Sequence, residues 1–165
     1  MLVIKLNLIT LHNRLKLMSE KMFKKILLPV MGEYIDELAE HTLEMAQGKQ
    51  IEVIGIYVID TSVPFLTPSN VKKLMKEELS QRGDEILANL ASKFNTPSTY
   101  MINLKKVIVE GDPAEKIVEI AEKENVDIIV MGTGKSIIDK HLLGSVSEKV
   151  VHSTPCSIML VKTVN

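Results

Sequence analysis

Apolar residues in this chain fall into short unbroken runs, and the stretches between those runs have helical spacing. Ile26, Leu27, Leu28 and Val30 form the first run. Pro29 near its end and Gly32 beyond it predict a strand that stops in a turn. Ile35, Leu38, Ala39, Thr42, Leu43 and Ala46 then recur at the intervals of one buried helix face, with Gly48 as its stop. A second strand is predicted from Ile51 to Ile59. Prolines and small polar residues over 61–70 mark a loop. After it, Leu74, Met75, Leu79, Ile86, Leu87, Leu90 and Phe94 set a long helix that Gly83 should weaken in its middle. A third strand is expected near Lys106 to Val109. It leads into Gly111-Asp112-Pro113, where Asp112 is placed to cap a helix, with proline at its first position and Glu115 at its third. Val126, Ile128, Ile129, Val130 and Met131 predict a fourth strand covered on both faces, and Cys156 to Val161 a fifth after Pro155.

Strands regularly separated by helices imply right-handed crossovers. The fold class is therefore α/β: a five-stranded, mostly parallel sheet with helices on both faces, a Rossmann-like three-layer sandwich. Ligands of such sheets bind beyond the carboxyl ends of the strands, where the strand order reverses. The loops after Val30, Ile59 and Met131 are the places to look.

The last of these loops carries the most chemistry. Gly132 and Gly134 let the backbone turn and approach a ligand without Cβ interference. Downstream, Ser145 and Glu148 have the spacing of a capping box, so Ser145 is expected to cap a helix whose apolar face includes Val146, Val150 and Val151. The N-terminus of that helix would present free N–H groups and partial positive charge, which suit phosphate. Two familiar phosphate motifs fail here. A P-loop needs glycine where Ile129 stands, and a dinucleotide fingerprint starting at Gly132 needs a small residue where Ile137 stands. A glycine-rich turn serving only as a connector is the plain alternative.

A chain of 165 residues, 45% hydrophobic and 25% charged, fits one globular domain without large disordered regions. The net charge of −1 supplies no global attraction to nucleic acid, and the 4% aromatic content offers no stacking platform for bases. Cys156 is the single cysteine, so no internal disulfide exists, and a reducing, cytoplasmic setting is expected. Residues 1–21 are apolar in part, but Lys5, Asn7, His12 and Arg14 interrupt every long run, which argues against a membrane span or a signal peptide. That segment is expected to be an appendage or an over-extended start, with the domain occupying residues 22–165.

Several longer strings together resemble the universal stress protein family. They are FKKILLPV from Phe23, YVID from Tyr57, VEGDPAEKIVEIAEKENVDIIVMG from Val109 and LLGSVSEKVVHSTPCSIMLV from Leu142. The resemblance covers nearly everything from Met22 to Lys162. It implies a sheet related to adenine-nucleotide-binding domains (adenine nucleotide alpha-hydrolase-like), a homodimer paired through the last strand, and ATP as a possible ligand with Mg or Mn. The family's ATP-binding pattern is G-x2-G-x9-G-[ST]. Gly134, Gly144 and Ser145 keep its nine-residue spacer, but only Thr133 separates Gly132 from Gly134, so the loop is one residue short. By this resemblance the phosphates fall to N–H groups of Gly132, Thr133, Gly134, Lys135, Ser136 and Ile137 and of Gly144, Ser145, Val146 and Ser147, with Ser145 Oγ adding a bond. Val58 would supply a backbone contact to adenine, and Pro29 borders the adenine end. Met31 stands where the family has aspartate, and a thioether is a much weaker acceptor than a carboxylate.

No catalytic constellation emerges beside this. His12, His41, His141 and His152 are scattered without a nucleophile, and Ser145 lacks a nucleophile elbow. No Cys/His cluster has metal-ligand spacing. Met31 and Met131 are expected to pack at strand ends, and Cys156 to be a small buried residue. A nucleotide-independent dimer acting through protein partners is the alternative to nucleotide binding, and ATP hydrolysis has no positioned base behind it.

Overall fold

The computed structural model describes residues 23–46, 50–62, 67–95, 101–134 and 143–162. The expected appendage over 1–21, the helix stop at Gly48, and His12 and His141 lie outside them, as do Lys135, Ser136 and Ile137 of the glycine loop. In chain order the elements are β1 (Lys25–Pro29), α1 (Ile35–Ala46), β2 (Gln50–Ile59), α2 (Ser69–Phe94), β3 (Met101–Glu110), α3 (Pro113–Lys123), β4 (Ile128–Gly132), α4 (Ser145–Ser153) and β5 (Ser157–Val161). All strand pairs are parallel, and their order is β3-β2-β1-β4-β5. The chain thus builds outward from β1 to β3 and then crosses back to the other side of β1. This makes the gap between the carboxyl ends of β1 and β4 the switch point.

Strand alternation sorts the core into two layers. Ile26, Leu28, Val53, Ile128 and Val130 point to the side covered by α1 and α2, where Leu38, Leu87 and Leu90 meet them. Leu27, Ile54, Ile56, Ile129 and Met131 point to the other side, against Ile117, Ile120 and Val150 of α3 and α4. β4, and β1 beyond Lys25, are apolar because both their faces are covered.

Element boundaries moved where local hydrogen bonding overruled the apolar pattern. Val126 is buried but precedes β4. It belongs to the stop of α3, where Val126 N donates to Ala121 O and Asn125 N to Glu122 O, with Asn125 at φ 51°. That pair of bonds is a Schellman motif, in which asparagine takes the left-handed position. Asp127 next to it accepts from both Lys24 N and Lys25 N, at 2.7 and 2.8 Å, and so clips the start of β1 to β4. β3 is longer than its apolar stretch because it is an outer strand, so Lys105 and Lys106 can stand exposed within it. The start of α3 is as expected, with Asp112 Oδ1 accepting from Ala114 N and Glu115 N.

Candidate functional site

The switch point is prepared by a proline. Lys24 O and Val30 N both bond to β2, so by strand alternation Pro29 faces β4 and lacks the N–H it would otherwise donate there. The β1–β4 register comprises Ile26–Ile128 and Leu27–Ile129, and the two strands diverge beyond it. The chain leaves β1 through Met31, Gly32 and Glu33, all exposed, with Gly32 at φ 100° and Tyr34 at φ 58° before α1 begins. A tyrosine in the left-handed region is uncommon and marks a constrained entry into the helix. Tyr34 O receives the N–H of Leu38, which starts α1.

On the β4 side the two halves of the glycine pattern are brought together. Thr133 N donates to Val161 O at the end of β5, and Thr133 O receives Gly144 N at 2.8 Å. Gly134 follows at φ 75°. A Cβ on Gly134 would sit 3.2 Å from Gly144 Cα, and one on Gly144 would sit 3.3 Å from Gly134 Cα. The close approach therefore needs glycine at both positions, and at Gly134 the backbone conformation needs it as well.

This pinch sets the start of α4. Gly144 is the N-cap, with no side-chain cap bond, and its carbonyl accepts Glu148 N. Ser145 is thus the first helical residue rather than the cap, because the Gly144–Thr133 bond already fixes where the helix begins. Its side chain is exposed. Helix geometry leaves the N–H groups of Ser145, Val146 and Ser147 without intrahelical acceptors. Those of Thr133 and Gly144 are spent on the fold. The Ser147 hydroxyl, which the sequence does not single out, lies 2.7 Å from Thr133 O and 2.8 Å from Gly144 O. Its one signal was helical phase, since Ser147 sits three residues before the buried Val150.

Val58 lies near the carboxyl end of β2, half-buried and paired with Val109 of β3. Pro29, Gly132, Thr133, Gly134, Gly144 and Val146 are likewise half-buried around the carboxyl ends of β1 and β4. The structure therefore gathers the described members of the expected set at one end of the sheet. Met31 does not pack at a strand end as expected: it is 70% exposed, because β1 has already ended at Pro29, whereas Met131 inside β4 is buried. Cys156 is half-buried rather than buried, since it precedes the outer strand β5, and its sulfur lies 3.4 Å from Thr154 Oγ1.

Lys149 of α4 reaches Asp112, the N-cap of α3, at 3.3 Å. Chiefly the donated Glu115 N–H, and after it Lys149, hold the Asp112 carboxyl below its ordinary range, against a partial opposing effect of desolvation. Among the described residues, no group of three or more His, Cys, Asp and Glu could hold a metal ion. No helix among them is long and apolar enough to cross a membrane.

Comparison with known proteins agrees with this architecture. The model of the universal stress protein family matches residues 22–162. A universal stress protein of Methanothermobacter thermautotrophicus is 58% identical over 87% of this chain and 99% of its own length. A solved structure from Methanocaldococcus jannaschii superposes with a TM-score of 0.76 at 31% identity, over 87% of this chain and 99% of that one. A universal stress protein of Arabidopsis thaliana, solved with AMP bound, shares the fold at a TM-score of 0.60 and 19% identity, over 86% of this chain and 92% of that one. With a family match across most of its length and a majority of residues shared with one relative, this chain belongs to the universal stress protein family.

Proposed function

We propose that this protein binds ATP, or a related adenine nucleotide, at the switch point and that occupancy serves as a regulatory state in the stress response. The observation that carries the reading is the apposition of Gly134 and Gly144, which sets the open first turn of α4 beyond the end of β4. A Cβ at either glycine would press on the backbone of the other, so the pair keeps the two segments close and the first turn of α4 beside the end of β4, an arrangement that suits a phosphate group. The amides of Ser145, Val146 and Ser147 are its donors, with a bound Mg or Mn ion screening the triphosphate. The family resemblance assigns Pro29 and Val58, at the carboxyl ends of β1 and β2, to the adenine end. An AMP-bound relative of the same fold supports an adenine nucleotide as the ligand class. Titration of ligand-stripped protein with ATP and magnesium by calorimetry tests this, and micromolar binding is expected. Absence of both heat and thermal stabilisation would overturn it.

One observation favours a second reading, a dimer that works through protein partners without nucleotide. Met31 presents an exposed thioether where an adenine-recognising carboxylate would be expected. Under either reading the protein is a cytoplasmic homodimer joined through β5, an outer strand with Ile158, Met159 and Leu160 only partly covered. Sedimentation of the full chain tests this, and a concentration-independent monomer would rule it out. The family match begins at residue 22, which supports reading residues 1–21 as an appendage or an over-extended start. Protein starting at Met22 should melt as the full chain does.

A further inference from the structure

Among the described residues, Thr42 and Ser147 are the two buried polar side chains, and they are used differently. Thr42 Oγ1 donates back to Leu38 O within its own helix. Ser147 Oγ reaches both Gly144 O in its own turn and Thr133 O, fourteen positions away at the end of β4. One hydroxyl carries one proton, so it donates to one of these carbonyls at a time, and both lie within range. Thr133 O already receives Gly144 N. Val150 anchors α4 in the core from below, and the hydroxyl adds a side-chain tether to the backbone bond at this carbonyl, at the end of the helix that faces β4. A second tether from one turn inside the helix fixes the tilt, and with it the direction of the N–H groups of Ser145 and Val146.

We propose that Ser147 is a positioning residue for the phosphate end of the ligand, acting through its hydroxyl on Thr133 O rather than by touching the nucleotide with its side chain. The inference rests on the nucleotide reading and deepens it: Ser147 sets how strongly the site distinguishes a phosphorylated nucleoside from a bare one. The position is small, 2% exposed and in helical phase with Val150, so an apolar residue would be the ordinary occupant. The bridging bond is the reason for the hydroxyl.

The test compares Ser147→Val with Ser147→Thr, which have nearly the same shape and differ in the hydroxyl. Amide exchange at Gly144 is followed by NMR on the unliganded protein, and affinities for magnesium ATP and for adenosine are measured by calorimetry. Valine should speed Gly144 exchange and weaken ATP about tenfold while leaving adenosine unchanged, and threonine should follow the parent protein in all three. Equal ATP affinity in the two variants would overturn the proposal. So would equal losses for ATP and adenosine, which would make Ser147 a general packing residue. If the parent protein binds no ATP, the nucleotide reading itself fails and takes this role with it. Binding by the parent with no difference between valine and threonine sinks the positioning role alone. Should the valine variant not fold, Ser147→Ala against the parent serine removes the hydroxyl alone and is read by the same outcomes.

Discussion

Tyr57 in β2 and Gly83 in α2 pack so closely that a Cβ on the glycine would lie 2.6 Å from the ring's Cδ1, with Cδ1 of Ile108, the register neighbour of Tyr57 in β3, at 3.1 Å. α2 runs unbroken through this point. Helix propensity alone would have Gly83→Ala stabilise by up to about 1 kcal/mol. The contact is far inside van der Waals range and is made with a buried ring in a close-packed layer, where overpacking costs about 1–3 kcal/mol. The second effect is the larger, so Gly83→Ala should lower the denaturant midpoint. A raised midpoint would show that the Tyr57 ring can swing aside.

Gly83 also illustrates what could be read in the sequence. Strand and helix order, the two core layers and the position of the glycine loop all follow from apolar periodicity, because burial on both faces of β1 and β4 leaves so little freedom of composition. Residues whose role depends on a distant partner were not legible. Gly83 reads as a weak point until the ring opposite is known. Ser147 reads as one more first-turn serine until Thr133 O is seen beside it. Asp127 gives no local sign that it holds the start of β1. The capping box expected at Ser145 does not form: the backbone bond from Gly144 N to Thr133 O puts the cap at Gly144, and no side chain caps the helix.

The two glycines of the pinch should fail in different ways. Gly144 has φ −66° and ψ 156°, which any residue adopts, so a side chain there is opposed only by the space beside Gly134. Gly144→Val should abolish ATP binding while the protein keeps its fold and its assembly state. Gly134, at φ 75°, adds a backbone penalty of about 1–2 kcal/mol for any other residue, so Gly134→Ala should lose stability as well as binding. Circular dichroism melts alongside calorimetry separate the cases. Retained ATP affinity in Gly144→Val would remove the cradle.

Asp112 gives a pH test of the α3–α4 junction. Its folded pKa is depressed, mainly by the Glu115 N–H. Its contribution to stability is therefore fully present above the unfolded value of about 3.9 and is lost as pH falls through the lower folded value. Asp112→Asn keeps a cap acceptor but loses the charge that faces Lys149. The parent should be the more stable of the two at neutral pH, and the gap should narrow in acid, as the pH falls toward the depressed folded value. Glu119 and Glu124, whose carboxyls are lowered by Lys116 and Lys105, titrate alike in both proteins and cancel in the difference. Urea midpoints at neutral pH and in acid measure it, and a gap that does not narrow in acid would mean that the charge plays no part.

Met31 offers the sharpest test of the adenine end. Its side chain is free of the core at 70% exposure, so replacing it should shift stability by no more than about 0.5 kcal/mol, and any change in affinity can be read directly. Two effects of Met31→Asp oppose each other. A carboxylate provides strong acceptors for base or ribose donors, but it also adds negative charge close in sequence to Glu33 and Glu37, which repels a triphosphate. A hydrogen bond to a charged group is worth about 1.5–3 kcal/mol, whereas repulsion across exposed loops is screened by salt within about 10 Å. The bond should win, tightening ATP about tenfold or more. Met31→Asn separates the two effects, since it gains an acceptor without charge and should recover part of the increase. If calorimetry finds both variants no tighter than the parent, the base does not lie at the end of β1, and the nucleotide reading would rest on the glycine pinch alone.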